Sequence, residues 1–395
     1  MKIVGLITEY NPFHNGHQYH IEKAKELSGA DRVVVVMSGN YVQRGTPAFM
    51  PKELRTEIAL KSGVSLVLEL PTFYATGTAE QFAYGAVSIL HKLGCVDSIC
   101  FGSECGDIRL LTDIANIFVQ EPDTYKQALQ EYLKAGLSFP LARQKAIGSL
   151  YPDCSYDEIL SKPNNILGIE YLKALIKLNS TMVPLTICRH VADYHDADLK
   201  ECISSASAIR EAFVHNDIES ILKQFPTHSH SIILDNYQKK YPITADDFSL
   251  LLKYRLLNET KESIQTYADV SEELANRIYK QLNQYASFEQ FCELLKTKEV
   301  TYTRISRALL HILLGIKKTD QKEIKKVRVL GFQKEHSDIF TEIKKQASIT
   351  LVSKLANDFD GLEIDIQASN LYESVLADKF RTTFINEYEH PIIRI

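Results

Sequence analysis

The sequence predicts an α/β fold: a parallel, doubly wound sheet in the first half of the chain and a mainly helical second half. Three observations carry this. Continuous β-branched runs such as Arg32-Val-Val-Val-Val-Met37 and Val64-Ser-Leu-Val-Leu-Glu-Leu70 read as strands buried on both faces. Segments with apolar residues three and four apart lie between them, long enough for crossover helices. After His215 the pattern changes, and helical spacing dominates from Ile218 to Leu314.

Taken in order, the first strand is the apolar run ending at Thr8, followed by a turn at Asn11-Pro12 and a helix whose apolar face is Ile21, Ala24 and Leu27. Gly29 stands where a C-terminal cap is expected. The second strand, Arg32 to Met37, opens into the polar loop Ser38-Gly39-Asn40-Tyr41-Val42-Gln43-Arg44-Gly45, at the strand end where open α/β sheets bind ligands. Pro51 is placed like a first helical residue, ahead of a helix through Leu54, Ile58 and Ala59. The third strand, Val64 to Leu70, stops at Pro71, and Thr78 caps a helix to about Lys92. Val96 to Phe101 is the fourth strand. Residues 107–180 read as successive helices broken at Pro122, Gly136, Pro140 and Pro152, and Met182 to Cys188 fits a fifth strand. Near the other end, Val327 to Phe332 and Ile349 to Ser353 are short strand candidates around a helix.

Composition narrows the function. The 395 residues leave room for two domains, and 45% hydrophobic with 24% charged residues is ordinary for a globular protein. No apolar stretch is long enough to span a membrane, and Met-Lys leads into a strand rather than a secretion signal. Seven cysteines without framework spacing point to a reducing compartment, so a cytoplasmic protein is expected. Cys95, Cys100 and Cys105 lack the tight pairing of a metal site and read as buried small residues. The net charge of −5 argues against a generally basic nucleic-acid binder. It hides an asymmetry: Arg304 to Lys345 carries 11 Lys or Arg against 5 Asp or Glu. Such a cluster fits either an electrostatic footprint for RNA or a solvated helical surface.

Chemistry enters at His14-Asn15-Gly16-His17. Helix starts attract anions, two histidines about one turn apart can face one phosphate, and Gly16 lets a nucleotide approach the backbone. A pair of surface or capping histidines is the plainer alternative. A second hydroxyl-rich helix start, Ile203-Ser204-Ser205-Ala206-Ser207-Ala208-Ile209-Arg210, offers another anion site, or simple serine capping. No GxxxxGK[ST] loop occurs, so the P-loop solution is absent. The acidic run Asp193 to Asp198 permits a divalent cation without specifying one, and metal ligands are left unassigned.

Strand, Asn-Pro turn and HxGH together resemble the HIGH motif of the nucleotidyltransferase superfamily, which transfers adenylyl groups. The serine-rich helix start resembles that superfamily's ISSTxIR motif, with Ala206 in place of the second serine and Ser207 in place of threonine. Closer still, Glu-Tyr-Asn-Pro-Phe-His-Asn-Gly-His (9–17) resembles the tRNA(Met) cytidine acetate ligase family. So do Met-Ser-Gly-Asn (37–40), Gln-Arg-Gly (43–45), Phe-Gly-Ser-Glu (101–104), Ser-Lys-Pro-Asn-Asn-Ile-Leu-Gly (161–168) and Asp-Tyr-His-Asp-Ala-Asp (193–198).

The resemblance implies an N-terminal Rossmann-like nucleotidyltransferase domain with a parallel sheet over 1–215. It implies a mainly helical tRNA-binding domain with a small mixed end over 216–395. The implied activity joins ATP and acetate into acetyl-adenylate and acetylates N4 of the wobble cytidine of elongator methionine tRNA. By resemblance ATP would touch Ile7, Thr8, Glu9, Tyr10, Asn11, Pro12, Phe13, His14, Asn15, Gly16, His17, Gln18, Tyr19 and His20, together with Gly102, Asn164, Arg189 and His190. His14, His17, Ser207 and Arg210 would do the chemistry, with Mg2+ expected to accompany ATP on ligands the sequence does not name. The tRNA would lie on Arg304, Arg307, Lys317, Lys318, Lys325 and Lys326. Two other readings stay open: an adenylyltransferase for a small phosphorylated metabolite, and an RNA-binding protein without chemistry.

Overall fold

The structure, a computed structural model, describes residues 1–154, 156–189, 206–214, 218–355 and 359–395. Of the sequence readings, His190, the acidic run 193–198 and the serines at 204 and 205 lie outside the described residues.

The sheet begins as the sequence predicts. Strands β1 (Ile3–Thr8), β2 (Arg32–Ser38), β5 (Leu66–Leu70), β6 (Ser98–Ser103) and β7 (Val183–Cys188) are mutually parallel, in the order β5-β2-β1-β6-β7. A two-stranded hairpin of β3 (Tyr41–Val42) and β4 (Thr46–Pro47) shapes the loop after β2. The first half contributes helices α1 (Asn15–Ser28), α2 (Lys52–Lys61), α3 (Thr72–Ala75), α4 (Ala79–Lys92), α5 (Ile108–Gln120), α6 (Asp123–Lys134), α7 (Phe139–Leu150), α8 (Tyr156–Ile159) and α9 (Pro163–Lys177). Burial on both faces explains the continuous β-branched run: Val34 and Val36 enter one core cluster with α4 and α9, while Val33, Val35 and Met37 enter another with α1 and α2.

The second half is more entangled with the first than the sequence suggests. β8 (Lys326–Phe332) pairs antiparallel with β5 through Leu66↔Phe332 and Val67↔Gly331. β9 (Thr350–Val352) and β10 (Ile393–Arg394) both run parallel to β8, completing an eight-stranded mixed sheet. Strands from both sides of residue 215/216 therefore share one sheet. A separate helical core gathers Phe248, Leu252, Ile278, Phe291, Leu309 and Tyr372, and Tyr41 of the hairpin inserts into it. Across the junction, Lys52 lies 2.9 Å from Glu69 and 2.8 Å from Glu387, all buried.

Two local expectations need correction. Leu27 is 53% exposed, and the inner face of α1 is instead Ile21, Ala24 and Ser28. Ser28 tolerates burial because its hydroxyl donates to the carbonyl of Ala24. Pro140 does not break a helix; it sits in the first turn of α7, where its missing N–H costs nothing.

Candidate active site

The site is assembled at the carboxyl ends of β1, β6 and β7. After β1 the chain passes through Tyr10, at φ 48°, and a cis Asn11-Pro12 peptide into α1. His14 caps that helix: its Nδ1 accepts from the Gly16 N–H at 3.0 Å, and His17 Nδ1 accepts from the His14 N–H at 3.2 Å. The two rings stand 3.8 Å apart, and Tyr10 and Phe13, both buried, wall His17 from behind at 4.9 and 5.5 Å between centroids.

This geometry fixes the histidine tautomers. A ring whose Nδ1 accepts a backbone N–H carries its proton, when neutral, on Nε2. Both rings are neutral near pH 7. Burial, and then the Arg189 charge, pushes His14 down to about 4. Burial pushes His17 well below its usual value, helped by His14, His20 and Arg189. His20, one turn on, is lowered to about 4 by burial and Arg189. His14 and His17 thus present a pair of Nε2–H donors suited to anionic oxygens.

The helix start itself is less available than expected. The Asn15 N–H donates to Gln224 O at 2.9 Å, that of Gly16 to His14, and that of His17 to His14 O at 2.8 Å. Asn15 also sends its side-chain amide to Lys223 O, tying α1 to the 223–224 segment. The donors left for an anion at this helix start are therefore side chains more than backbone N–H groups.

Two arginines provide permanent charge. Arg210, on the helix Ala206–Val214, donates from Nη1 to Asn11 O at 2.6 Å and from Nη2 to Ser207 Oγ at 3.1 Å. Arg189, directly after β7, donates from Nη1 to Asn164 Oδ1 at 2.9 Å. A Cβ on Gly102 would come 3.2 Å from the Arg189 Cγ, so the bare glycine lets the arginine stem lie across β6. The sequence-predicted set His14, His17, Gly102, Asn164, Arg189, Ser207 and Arg210 is therefore brought to one end of the sheet. Ile7 and Thr8 end β1, and Gln18 is turned to Glu22 along α1, as Nε2 donates to its carboxylate at 2.6 Å. Asn11 spends its side chain on the Phe49 N–H at 2.7 Å.

One supporting residue escaped the sequence reading. Buried Arg55 donates to four backbone carbonyls, of Glu9 (2.7 Å), Met50 (2.9 Å), Ser38 (3.0 Å) and Gly39, and so braces both loops around the site. Nothing in a Lys-Glu-Leu-Arg-Thr-Glu helix announces that role. Glu9 accepts from the Gln43 N–H at 2.6 Å; burial raises its pKa, opposed by that bond and by Arg55, Arg44 and Arg210.

The predicted RNA-contact residues lie on and after the helix Tyr302–Leu314. Arg304, Lys317, Lys318 and Lys325 are exposed. Arg307 is different: it forms a 2.8 Å ion pair with Asp269, and both side chains are largely buried. Its backbone presses against Gly45, at φ +77°, and Ser306 Oγ donates to Gly45 O at 2.8 Å. Lys326 begins β8 and is half-buried. For a metal, the described residues bring together Glu53, Glu387 and His390 within 4.8 Å, but Glu387 is already engaged by Lys52 and Arg328.

An open α/β sheet with an HxGH helix start and a trailing Ser-Arg helix start defines a nucleotidyltransferase of the HIGH type. Correspondingly, the model of the family described as HIGH Nucleotidyl Transferase matches residues 1–387. The chain is 42% identical over 405 residues to the tRNA(Met) cytidine acetate ligase of Thermoanaerobacter sp. (strain X514), covering all of both chains. It is 42% identical over 387 residues to that of Clostridium perfringens (strain ATCC 13124), covering 94% of this chain and 95% of the relative. The crystal structure of Thermotoga maritima TmcAL bound with alpha-thio ATP superposes with a TM-score of 0.91 at 32% identity, over the whole of both chains. This chain belongs to the tRNA(Met) cytidine acetate ligase family. Among the described residues no helix is long and apolar enough to cross a membrane.

Proposed function

We propose that this protein couples ATP to acetate as acetyl-adenylate and passes the acetyl group to N4 of the wobble cytidine of elongator methionine tRNA. An acetate oxygen attacks the α-phosphorus and pyrophosphate leaves. The cytidine N4 then attacks the acetyl carbonyl, releasing AMP and one proton. The pair of Nε2–H donors on His14 and His17 is the observation that carries this reading. They stabilise charge on the phosphates as it moves toward the leaving group, and being neutral they are cheap to keep buried beforehand. Arg189 and Arg210 supply fixed positive charge, and Arg210, anchored on Asn11, holds the two motifs in register. The full-length likeness to acetate ligases favours this over a metabolite adenylyltransferase, as do about 180 residues beyond the α/β half.

Magnesium fits as a companion of the triphosphate. Among the described residues the site's carboxylates Glu9 and Glu104 are engaged by N–H donors, so of these groups the phosphate oxygens would carry the ion, where it would help pyrophosphate depart. The exposed basic residues Arg304, Lys317, Lys318 and Lys325 are proposed to track the tRNA backbone, within a helical part extending from residue 216. The cytoplasm is the proposed compartment.

The test is incubation with ATP and a panel of short carboxylic acids, with mass spectrometry for the acyl-adenylate, then addition of methionine tRNA. Acetyl-AMP and N4-acetylcytidine are expected. Adenylyl transfer to a phosphorylated metabolite instead, or no ATP-dependent product at all, would overturn the reading.

A further inference from the structure

We propose that Glu104 is a positioning residue for ATP: it fixes the Asn164 amide so that Asn164 holds Arg189 in place over the nucleotide phosphates. This rests on the adenylate-forming reading above.

The geometry is a relay of three side chains from three elements. Glu104 follows β6 and its carboxylate closes the start of α9. Oε1 accepts from the Asn164 backbone N–H at 3.1 Å and from Asn164 Nδ2 at 2.7 Å, while Oε2 accepts from the Asn165 N–H at 2.7 Å. Asn165 answers, its Oδ1 accepting from the Glu104 N–H at 2.9 Å and the Cys105 N–H at 3.1 Å. The loop after β6 and the first turn of α9 are thus locked to each other from both sides.

The consequence for Arg189 follows from hydrogen-bond polarity. An amide side chain can sit either way round, and its two ends are nearly the same shape. A carboxylate accepts only, so it captures the Nδ2 end of Asn164. The Oδ1 end must then face away, where it takes the Arg189 guanidinium at 2.9 Å. Among the described residues one arginine donor is spent on this contact, which leaves the others for phosphate. The bare backbone of Gly102 completes the cradle by admitting the arginine stem. Arg189 is also a charge felt by His14, His17 and His20, so its position matters to all three histidines.

Glutamine is consequently not a conservative replacement. Glu104→Gln would set an NH2 group against either Asn164 Nδ2 or the Asn165 N–H, and donor against donor is repulsive. Loss of one charge-assisted bond predicts ATP binding weakened about tenfold in Glu104→Gln. The KM for acetate should not move.

A simple helix-capping role would lower stability without singling out ATP, so a double-mutant cycle decides. ATP affinity is measured by calorimetry with a non-hydrolysable ATP analogue for wild type, Glu104→Gln, Arg189→Ala and the double variant. If Glu104 acts through Arg189, the double variant binds no more weakly than Arg189→Ala alone. Should Glu104→Gln fold poorly, Asn164→Ala takes its place in the same cycle, since it keeps the bonds of Glu104 to the α9 backbone. Because the family resemblance also gives Asn164 a contact to ATP, its tenfold loss counts for the relay only if it does not add to that of Arg189→Ala. Fully additive losses, or wild-type ATP affinity in a folded Glu104→Gln or Asn164→Ala protein, would overturn the relay and leave the adenylate reading standing. A wild-type protein that binds no ATP would overturn both.

Discussion

Arg210 reaches back 199 positions to donate a 2.6 Å hydrogen bond to the carbonyl of Asn11. The contact joins the helix after β7 to the turn that precedes the paired histidines, so two motifs far apart in sequence share one bond. Its other arm rests on Ser207, which leaves the guanidinium fixed at the mouth of the site.

Arg210→Ala should therefore raise the KM for ATP or lower turnover in adenylate formation while leaving tRNA affinity nearly unchanged. Pyrophosphate release and filter binding of tRNA, run side by side, check this. A fall in tRNA binding with normal adenylate formation would assign the serine-arginine segment to RNA recognition.

His17→Ala should slow acetyl-adenylate formation by roughly 100-fold, the usual scale for one lost charge-stabilising donor. The protein should remain folded, because the other walls of the pocket, Tyr10 and Phe13, stay in place. Single-turnover assays on a variant with a normal circular dichroism spectrum are the appropriate measurement; near-normal rates would remove this histidine from the mechanism.

The histidines also set a pH dependence of stability. His14 and His20 are held at about 4 in the folded protein, below their usual value near 6.5. The unfolded chain therefore binds more protons between those limits, and stability falls as pH drops from about 6.5 toward 4. Above 6.5 the contribution is complete. The loss is on the order of a few kcal/mol for the pair. Urea unfolding at pH 7 and pH 5 should show it, and His14→Gln should shrink the difference; an unaltered difference would contradict the assignment.

Within the basic segment the structure separates surface charge from scaffold. Reversing Arg304, Lys317, Lys318 and Lys325 to Glu should weaken tRNA binding strongly and flatten its salt dependence, since fewer counterions are released. Adenylate formation should survive. Arg307→Ala should behave otherwise: stranding Asp269 in a largely buried position costs about 2–3 kcal/mol and shows first in thermal melts. Unchanged salt slopes in the reversed protein would make the patch an ordinary solvated surface.

The legible part of this molecule is what local chemistry specifies. Continuous β-branched runs identified the parallel strands, Thr78 and Gly29 marked helix ends where caps are found, and the HxGH spacing located the histidine pair. The paired readings at Asn164 and Arg189 likewise meet, through one hydrogen bond. What stayed hidden depends on partners distant in sequence. Lys326–Phe332 looks like a strand from its own residues, but nothing in it says that it will lie antiparallel on β5. Arg55 looks like any helical arginine until the carbonyls of Glu9, Ser38 and Gly39 converge on it. Arg307 counted as a surface cation until Asp269 was placed beside it.

The strand added to β5 has a consequence for how the chain is made. Synthesis proceeds from the N-terminus, and β5 emerges with one side of its backbone unmatched until Phe332 arrives to pair with Leu66. A nascent or prematurely terminated chain that already holds the histidine pair and both arginines would still present a bare sheet edge to its neighbours. In it Lys52 would also lack Glu387, an ion-pair partner alongside Glu69. Only polypeptides extended past Phe332 hide that adhesive edge, so products truncated before it should accumulate as insoluble aggregates rather than as a working half-enzyme.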